Sequence, residues 1–248
     1  MPADPLAPLL ELPGVADSVA RTRSAVDTLL GNRTLRRRSA DVSTESSLRG
    51  AWASAALAGA EFSLDDMRSG AAAADPVVQG ALRASAAIGQ LTDTWTKAPR
   101  QALARLHALA AADLVADRET LGRPIARSGV AQRLDTLAGV LSQTSAPAVV
   151  VAAIVHGEVL TLDAFAPSSG VVARAAVRLT LIESGLDPKS LVVVEAGHRE
   201  LGEQYAEAAA AYAGRTPNGI AAWIGHCADA IVAGARESTA ICEAIARG

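Results

Sequence analysis

Aromatic residues are scarce in this chain: three Trp, two Tyr and two Phe among 248 residues. Half of all residues are nevertheless apolar, so Ala, Val and Leu must fill the core. An Ala-rich composition with few alternating β-branched runs favours helix over sheet. Cysteine is scarcer still. Cys227 and Cys242 carry no C-x-x-C spacing, which argues against a zinc site or a redox pair, and a chain without a disulfide framework suits a reducing compartment. An excess of positive charge is missing as well. A net charge of −3 gives no electrostatic reason to expect nucleic acid or an anionic membrane as the partner. The one basic cluster, Arg33, Arg36, Arg37 and Arg38, has no aromatic residue interleaved with it and reads as a solvated helix end or linker.

The longest apolar run, Ala146 to Val155, falls short of the roughly 20 residues that span a bilayer. The opening MPADPLAPLLELPGV has an acidic start and no basic region, unlike a signal peptide. These two readings lead to the expectation of a cytoplasmic protein. A G-x-G-x-x-G loop after a strand is absent, which removes a dinucleotide-binding oxidoreductase. His107, His198 and His226 lack metal-ligand spacing, so no metal is assigned.

What is there is helical punctuation. The length suits one domain with a helical extension, divided here into an N-terminal helical segment, 1–42, and a helical domain, 43–248. Helices are expected at Val15–Leu30 and Ser43–Leu57, the latter closed by Gly59. Ser63 and Asp66 have the spacing of a capping box, and Asp75-Pro76 opens another helix with Pro in the first turn. Arg100–Ala116 and Val130–Leu141 follow, separated by a loop at 117–127. The apolar run after Pro147 reads as a buried strand or a buried helix by periodicity alone; continuation through His156 to Leu162 favours the helix. A further helix starts at Ser168 or Ser169 as N-cap and stops at Gly185. Helices at Pro188–Glu195, His198–Ala213 and Pro217–Ile245, the last broken near Ile231, complete the reading.

Between these helices, residues 163–174 read Asp-Ala-Phe-Ala-Pro-Ser-Ser-Gly-Val-Val-Ala-Arg. This stretch resembles the Fic (Fido) signature H-P-F-x-(D/E)-G-N-G-R-x-x-R, matching it at Phe165, Gly170 and Arg174. Downstream, GLDPKSLVVVEAGHRELGEQYAEAAAAY is similar to the family's turn, short helix and longer helix. Upstream, Ser54-Ala55-Ala56-Leu57-Ala58-Gly59 resembles the inhibitory motif (S/T)-x-x-x-E-(G/N). The resemblance spans roughly residues 43–245 and implies an all-α, Fic-like fold.

It also implies what the site has lost. Fic enzymes typically transfer AMP from ATP to a protein hydroxyl. In such enzymes a His acts as general base, an acidic residue holds Mg²⁺, the Gly-Asn-Gly loop cradles phosphate and two Arg neutralise charge. Here Asp163 takes the His position, Pro167 the acidic position and Val171 that of the first Arg. The Glu of the inhibitory motif is Ala58, so Arg174 lacks that family partner; an anion or another carboxylate would serve it. Ser168, Ser169 and Gly170 have two readings, a backbone cradle for phosphate or a plain helix cap.

His156 and the three Trp read as core residues. A full target-binding hairpin at 121–132 is not expected, because Gly122, Pro124 and Gly129 crowd that short segment. The reading that results is a catalytically degenerate Fic-like protein that binds a protein partner or a nucleotide instead of transferring AMP. No cofactor is assigned, ATP being the ligand the resemblance would supply. The alternatives are a divergent transferase using Asp163, Ser169 and Arg174, and a structural protein that forms homo-oligomers through Ala-rich faces.

Overall fold

The segment AVVVAAIVHGEVLT has apolar residues on every side, so a helix made of it has no broad wet face and must lie inside the protein. A computed structural model describes residues 4–247. In it this segment is helix α8 (Ala148–Thr161), and it packs along α9 (Ser169–Glu183), which is buried over nearly its whole length. Around this pair lie α5 (Pro76–Lys97), α6 (Pro99–Ala110) and α7 (Val130–Leu141) on one side. On the other lie α2 (Val15–Leu30), α10 (Val194–Glu200), α11 (Gln204–Ala213) and the 31-residue α12 (Pro217–Arg247). α3 (Leu35–Ala56) runs across the α9 face and touches α5, α10 and α12. Short α1 (Ala7–Leu10) and α4 (Leu64–Ser69) complete the set, and the described residues contain no strand. The fold is all-α, as composition and resemblance both indicate. No helix of the described residues is long and apolar enough to cross a membrane.

Local signals account for most helix ends. Ser63 and Asp66 form the reciprocal capping box, and the Asp75 carboxylate accepts the N–H groups of Val77 and Val78. Three expectations are corrected. Residues 188–193 are not helical, and α10 starts only at Val194: the buried Asp187 carboxylate accepts the Leu191 and Val192 N–H groups at 2.9 and 2.8 Å, which ties those N–H groups to a side chain instead of a helix. The helix expected at His198–Ala213 is two, α10 and α11, separated at Leu201–Glu203 around Gly202 with φ +57°. α12 runs unbroken through Ile231, and its Gly219 and Gly234 lie at close backbone approaches to Ala211 and Val193. The boundary at 42/43 falls inside α3, whose one non-helical residue is Arg38.

Two arginines lie four apart on α9, on one face, and both are 2% exposed. The α3 face opposite offers Ser47, Gly50 and Ser54, small residues at spacings of three and four. Arg178 reaches the Ser190 hydroxyl at 2.7 Å and carbonyl at 3.1 Å, with the Glu195 carboxylate 3.8 Å away. A Cβ on Gly50 would approach Arg178 Nη1 to 3.1 Å. Arg178→Ala should leave the Glu195 carboxylate buried without a cation and cost about 3 kcal/mol, read as a lowered urea midpoint at unchanged slope.

Candidate functional site

The α8–α9 connection is built from one helix end and the next helix start. α8 stops in a Schellman motif: Asp163 N–H bonds to the Leu160 carbonyl at 3.1 Å and Ala164 N–H to that of Val159 at 3.4 Å. Asp163 is the left-handed residue of that motif, φ +46°, a conformation that Asp tolerates better than most side chains. Its carboxylate is exposed and forms no hydrogen bond or ion pair among the described residues.

Phe165 is 2% exposed, its ring 5.3 Å from that of His107. Its N–H donates to the Ser169 hydroxyl at 2.9 Å, which occupies Ser169 with the loop. Ser168 is the N-cap of α9 by position, yet its hydroxyl accepts no N–H of the first turn and lies buried without a partner. The side-chain cap expected from Ser168 or Ser169 is therefore absent. Gly170 is where it must be for packing. A Cβ there would lie 3.0 Å from Arg174 Nη1, so the guanidinium folds back along the first turn of its own helix.

Arg174 is thus a buried cation beside a helix N-terminus, which disfavours it. What holds it is the other end of a helix. Nε donates to the Ser54 hydroxyl at 3.0 Å, Nη2 to the Ser54 carbonyl at 2.9 Å and Nη1 to the Tyr205 hydroxyl at 3.3 Å. Ser54 lies in the last turn of α3, whose carbonyls carry partial negative charge. Hydrogen bonds to a charged group contribute about 1.5–3 kcal/mol each, so three match a desolvation cost of several kcal/mol. Arg174 forms no ion pair among the described residues, neither with an anion-like carboxylate nor with the motif's Glu position. Ala58 is exposed, and Gly59, φ +94°, closes α3 by letting the Ala60 N–H reach the Ala55 carbonyl at 3.0 Å.

The segment 121–127 lies against this loop without forming a hairpin among the described residues. Ile125 N–H donates to the Ala164 carbonyl at 2.9 Å, Arg127 to that of Leu162, and Gly122 N–H to His107 Nδ1 at 3.2 Å. Outside this seam opens a cavity of about 640 Å³ lined by His107, Arg123, Ile125 and Ala166, but not by Asp163, Ser169 or Arg174.

No protein-family model matches the sequence, and no curated protein matches it. Among solved structures, the chain matches a Fic family protein from Desulfovibrio desulfuricans G20 with a TM-score of 0.74 and 19% sequence identity. The match covers 92% of this chain and 75% of that one. The protein has a Fic fold. At that identity the likeness is one of fold alone.

Within this Fic fold the structure gathers a cluster that sequence spacing hid. His156 on α8, His198 on α10, Tyr205 on α11 and Trp223 and His226 on α12 meet beside Arg174. His156 Nε2 is 2.7 Å from the Tyr205 hydroxyl, and His198 Nδ1 is 3.0 Å from His226 Nε2. His156 Nδ1 and His198 Nε2 are buried with no partner. Burial pushes both imidazoles well below their ordinary range, and Arg174 and the other imidazoles act in the same direction. Burial lowers His226 too, against the pull of Asp229. No group of three His, Cys, Asp or Glu among the described residues is arranged to hold a metal ion. The one clue in the sequence was the spacing from His198 to Tyr205, two turns on a continuous helix; the break at Leu201–Glu203 makes even that misleading.

Proposed function

We propose that this Fic-fold protein acts by binding a partner and does not transfer AMP. The observation that carries the reading is Arg174, 2% exposed and closed over by Ser54 and Tyr205. Around it, each position that would do Fic chemistry has another task or none. Asp163 terminates α8, and Pro167 offers no side-chain oxygen to a metal. The Ser169 hydroxyl is bound by the Phe165 N–H, and Val171 carries no charge. These residues do not fit a magnesium nucleotide. A divergent transferase needs Asp163, Ser169 and Arg174 around one open pocket, whereas Asp163 is exposed and the other two are buried.

A pseudoenzyme of this kind works through its surface, with another protein or a second copy of the chain as the partner class. The direct test is calorimetric titration with ATP, with and without Mg²⁺, beside an AMP-transfer assay. No heat at millimolar ATP and no label are expected. Binding that disappears in Arg174→Ala would instead mean that the anion cradle is live. Labelling abolished by Asp163→Ala would sink the proposal outright.

A further inference from the structure

α11 buries only two side chains, Tyr205 and Tyr212, seven residues apart and so on one face. The rest of the helix is Ala-rich and largely at the surface. Each tyrosine is hydrogen-bonded to a titratable group of α8. Tyr205 meets His156 Nε2 at 2.7 Å, and the Tyr212 hydroxyl donates to Glu158 Oε1 at 2.8 Å. Beneath both lies the fully buried Trp223, with ring centroids 6.0 Å from each. The two flanks differ. The C-terminal end is clamped where the Ala211 carbonyl seats on Gly219, whose Cβ would come within 2.2 Å of it. At the other end, the Leu201–Glu203 turn has Gly202 at positive φ, and Tyr205 is the first side chain to anchor.

We propose that α11 is a strap over Arg174, held shut by neutral imidazoles at His156, His198 and His226 and lifted at its Tyr205 end when they take up protons. The hydrogen bonds dictate this. Arg174 Nη1 donates to the Tyr205 oxygen, and among the described residues the one acceptor the Tyr205 O–H reaches is His156 Nε2, so that O–H is satisfied only in the tautomer with Nε2 unprotonated. A proton on His156 Nε2 turns that acceptor into a donor and strands the Tyr205 O–H. The His198–His226 contact likewise tolerates one shared proton. A second places N–H against N–H across 3.0 Å.

The surroundings offer little to balance these charges. α9 contributes Arg174, α10 His198, α11 the two tyrosines, and α12 His226, Cys227 and Asp229. Asp229 is the acid that acts on His226, and it is paired at the surface with Arg21. Glu158 on α8 is engaged by Arg133 of α7 and by Tyr212. Each added proton therefore joins an existing cation in a dry site. The strap does not depend on the absence of AMP transfer.

The test is hydrogen exchange of the native chain at about pH 7.5 and about pH 5.5, corrected for intrinsic rates and resolved by peptide. Peptides covering 201–210 should exchange at least about tenfold faster at the lower pH, through an opening of lower free energy than the global unfolding that sets exchange in α8 and α9. Trp223 fluorescence, read in Trp52→Phe/Trp95→Phe, should change over the same range with far-UV circular dichroism constant. His226→Gln should move that transition to lower pH. Tyr205→Phe, which keeps the ring and loses the hydroxyl, should loosen 201–210 already at neutral pH. Loss of protection at 201–210 only together with α8 and α9, or none at all, would overturn the strap.

Discussion

Acidification from about pH 7.5 to about pH 5 is expected to remove most of the protein's stability, faster than its carboxylates alone would allow. All four histidines, His107, His156, His198 and His226, have imidazoles lowered from 6.5, chiefly by burial. In the unfolded chain they titrate near 6.5, so just below that pH the unfolded state binds more protons than the native state. The free energy of unfolding then falls as pH falls. The histidine contribution is intact above about 6.5 and is lost progressively as pH drops toward the depressed folded values. Each proton taken up on unfolding adds a slope of about 1.4 kcal/mol per pH unit, so three or four give roughly 4–6 kcal/mol per unit. Against a total stability of about 5–15 kcal/mol, one unit of acid decides the outcome. Asp4, held at about 2 chiefly by the Ser145 and Leu6 N–H groups, adds a smaller loss only below 3.8. Urea midpoints at half-unit pH steps measure the slope. A flat profile between 7 and 5.5 would mean that the cluster is hydrated or already charged. His156→Gln should flatten it by about one proton's worth.

Gly197→Ala should prevent α10 from seating on α12. A Cβ at Gly197 would lie 1.9 Å from the Ala230 carbonyl oxygen and 2.7 Å from its carbon. Both are backbone atoms of a continuous helix, so nothing flexible can yield. The second contact of the same crossing is also tight, since a Cβ at Gly234 would lie 2.5 Å from the Val193 carbonyl oxygen. Overpacking a core against side chains costs about 1–3 kcal/mol. Against backbone at this separation, more than about 4 kcal/mol or outright failure to fold is expected. Gly225, on the same α12, meets nothing within 4 Å. Gly225→Ala should therefore stabilise by about 0.5–1 kcal/mol through helix propensity alone. Opposite signs for two Gly→Ala changes, read by thermal unfolding, are what close helix crossing demands; equal effects would contradict it.

Much of this was legible in the chain. A shortage of aromatics and an excess of Ala and Val forced a helical core. The apolar run at Val149–Val155 had no wet face and had to lie within it. Ser63 with Asp66, Asp75 with Pro76, and Gly59 marked helix ends because those signals act over a few residues. The stretch 163–174 carried enough spacing at Phe165, Gly170 and Arg174 to suggest the fold on which the chain superposes.

What the tertiary structure alone decided are the pairings over long sequence distances. Ser54 meets Arg174 across 120 residues, and His198 meets His226 across 28, because α3, α10 and α12 cross where small residues let backbones approach. The family resemblance implied an anion or another carboxylate for Arg174; packing gave it a helix C-terminus and a tyrosine. It also made Asp163 a helix terminator and withheld the cap that Ser168 and Ser169 promised. Residue types and their periods determine which helices form and which faces must be dry. Only the crossing geometry of those helices determines which buried polar groups meet, and here that set the charge balance beneath α11.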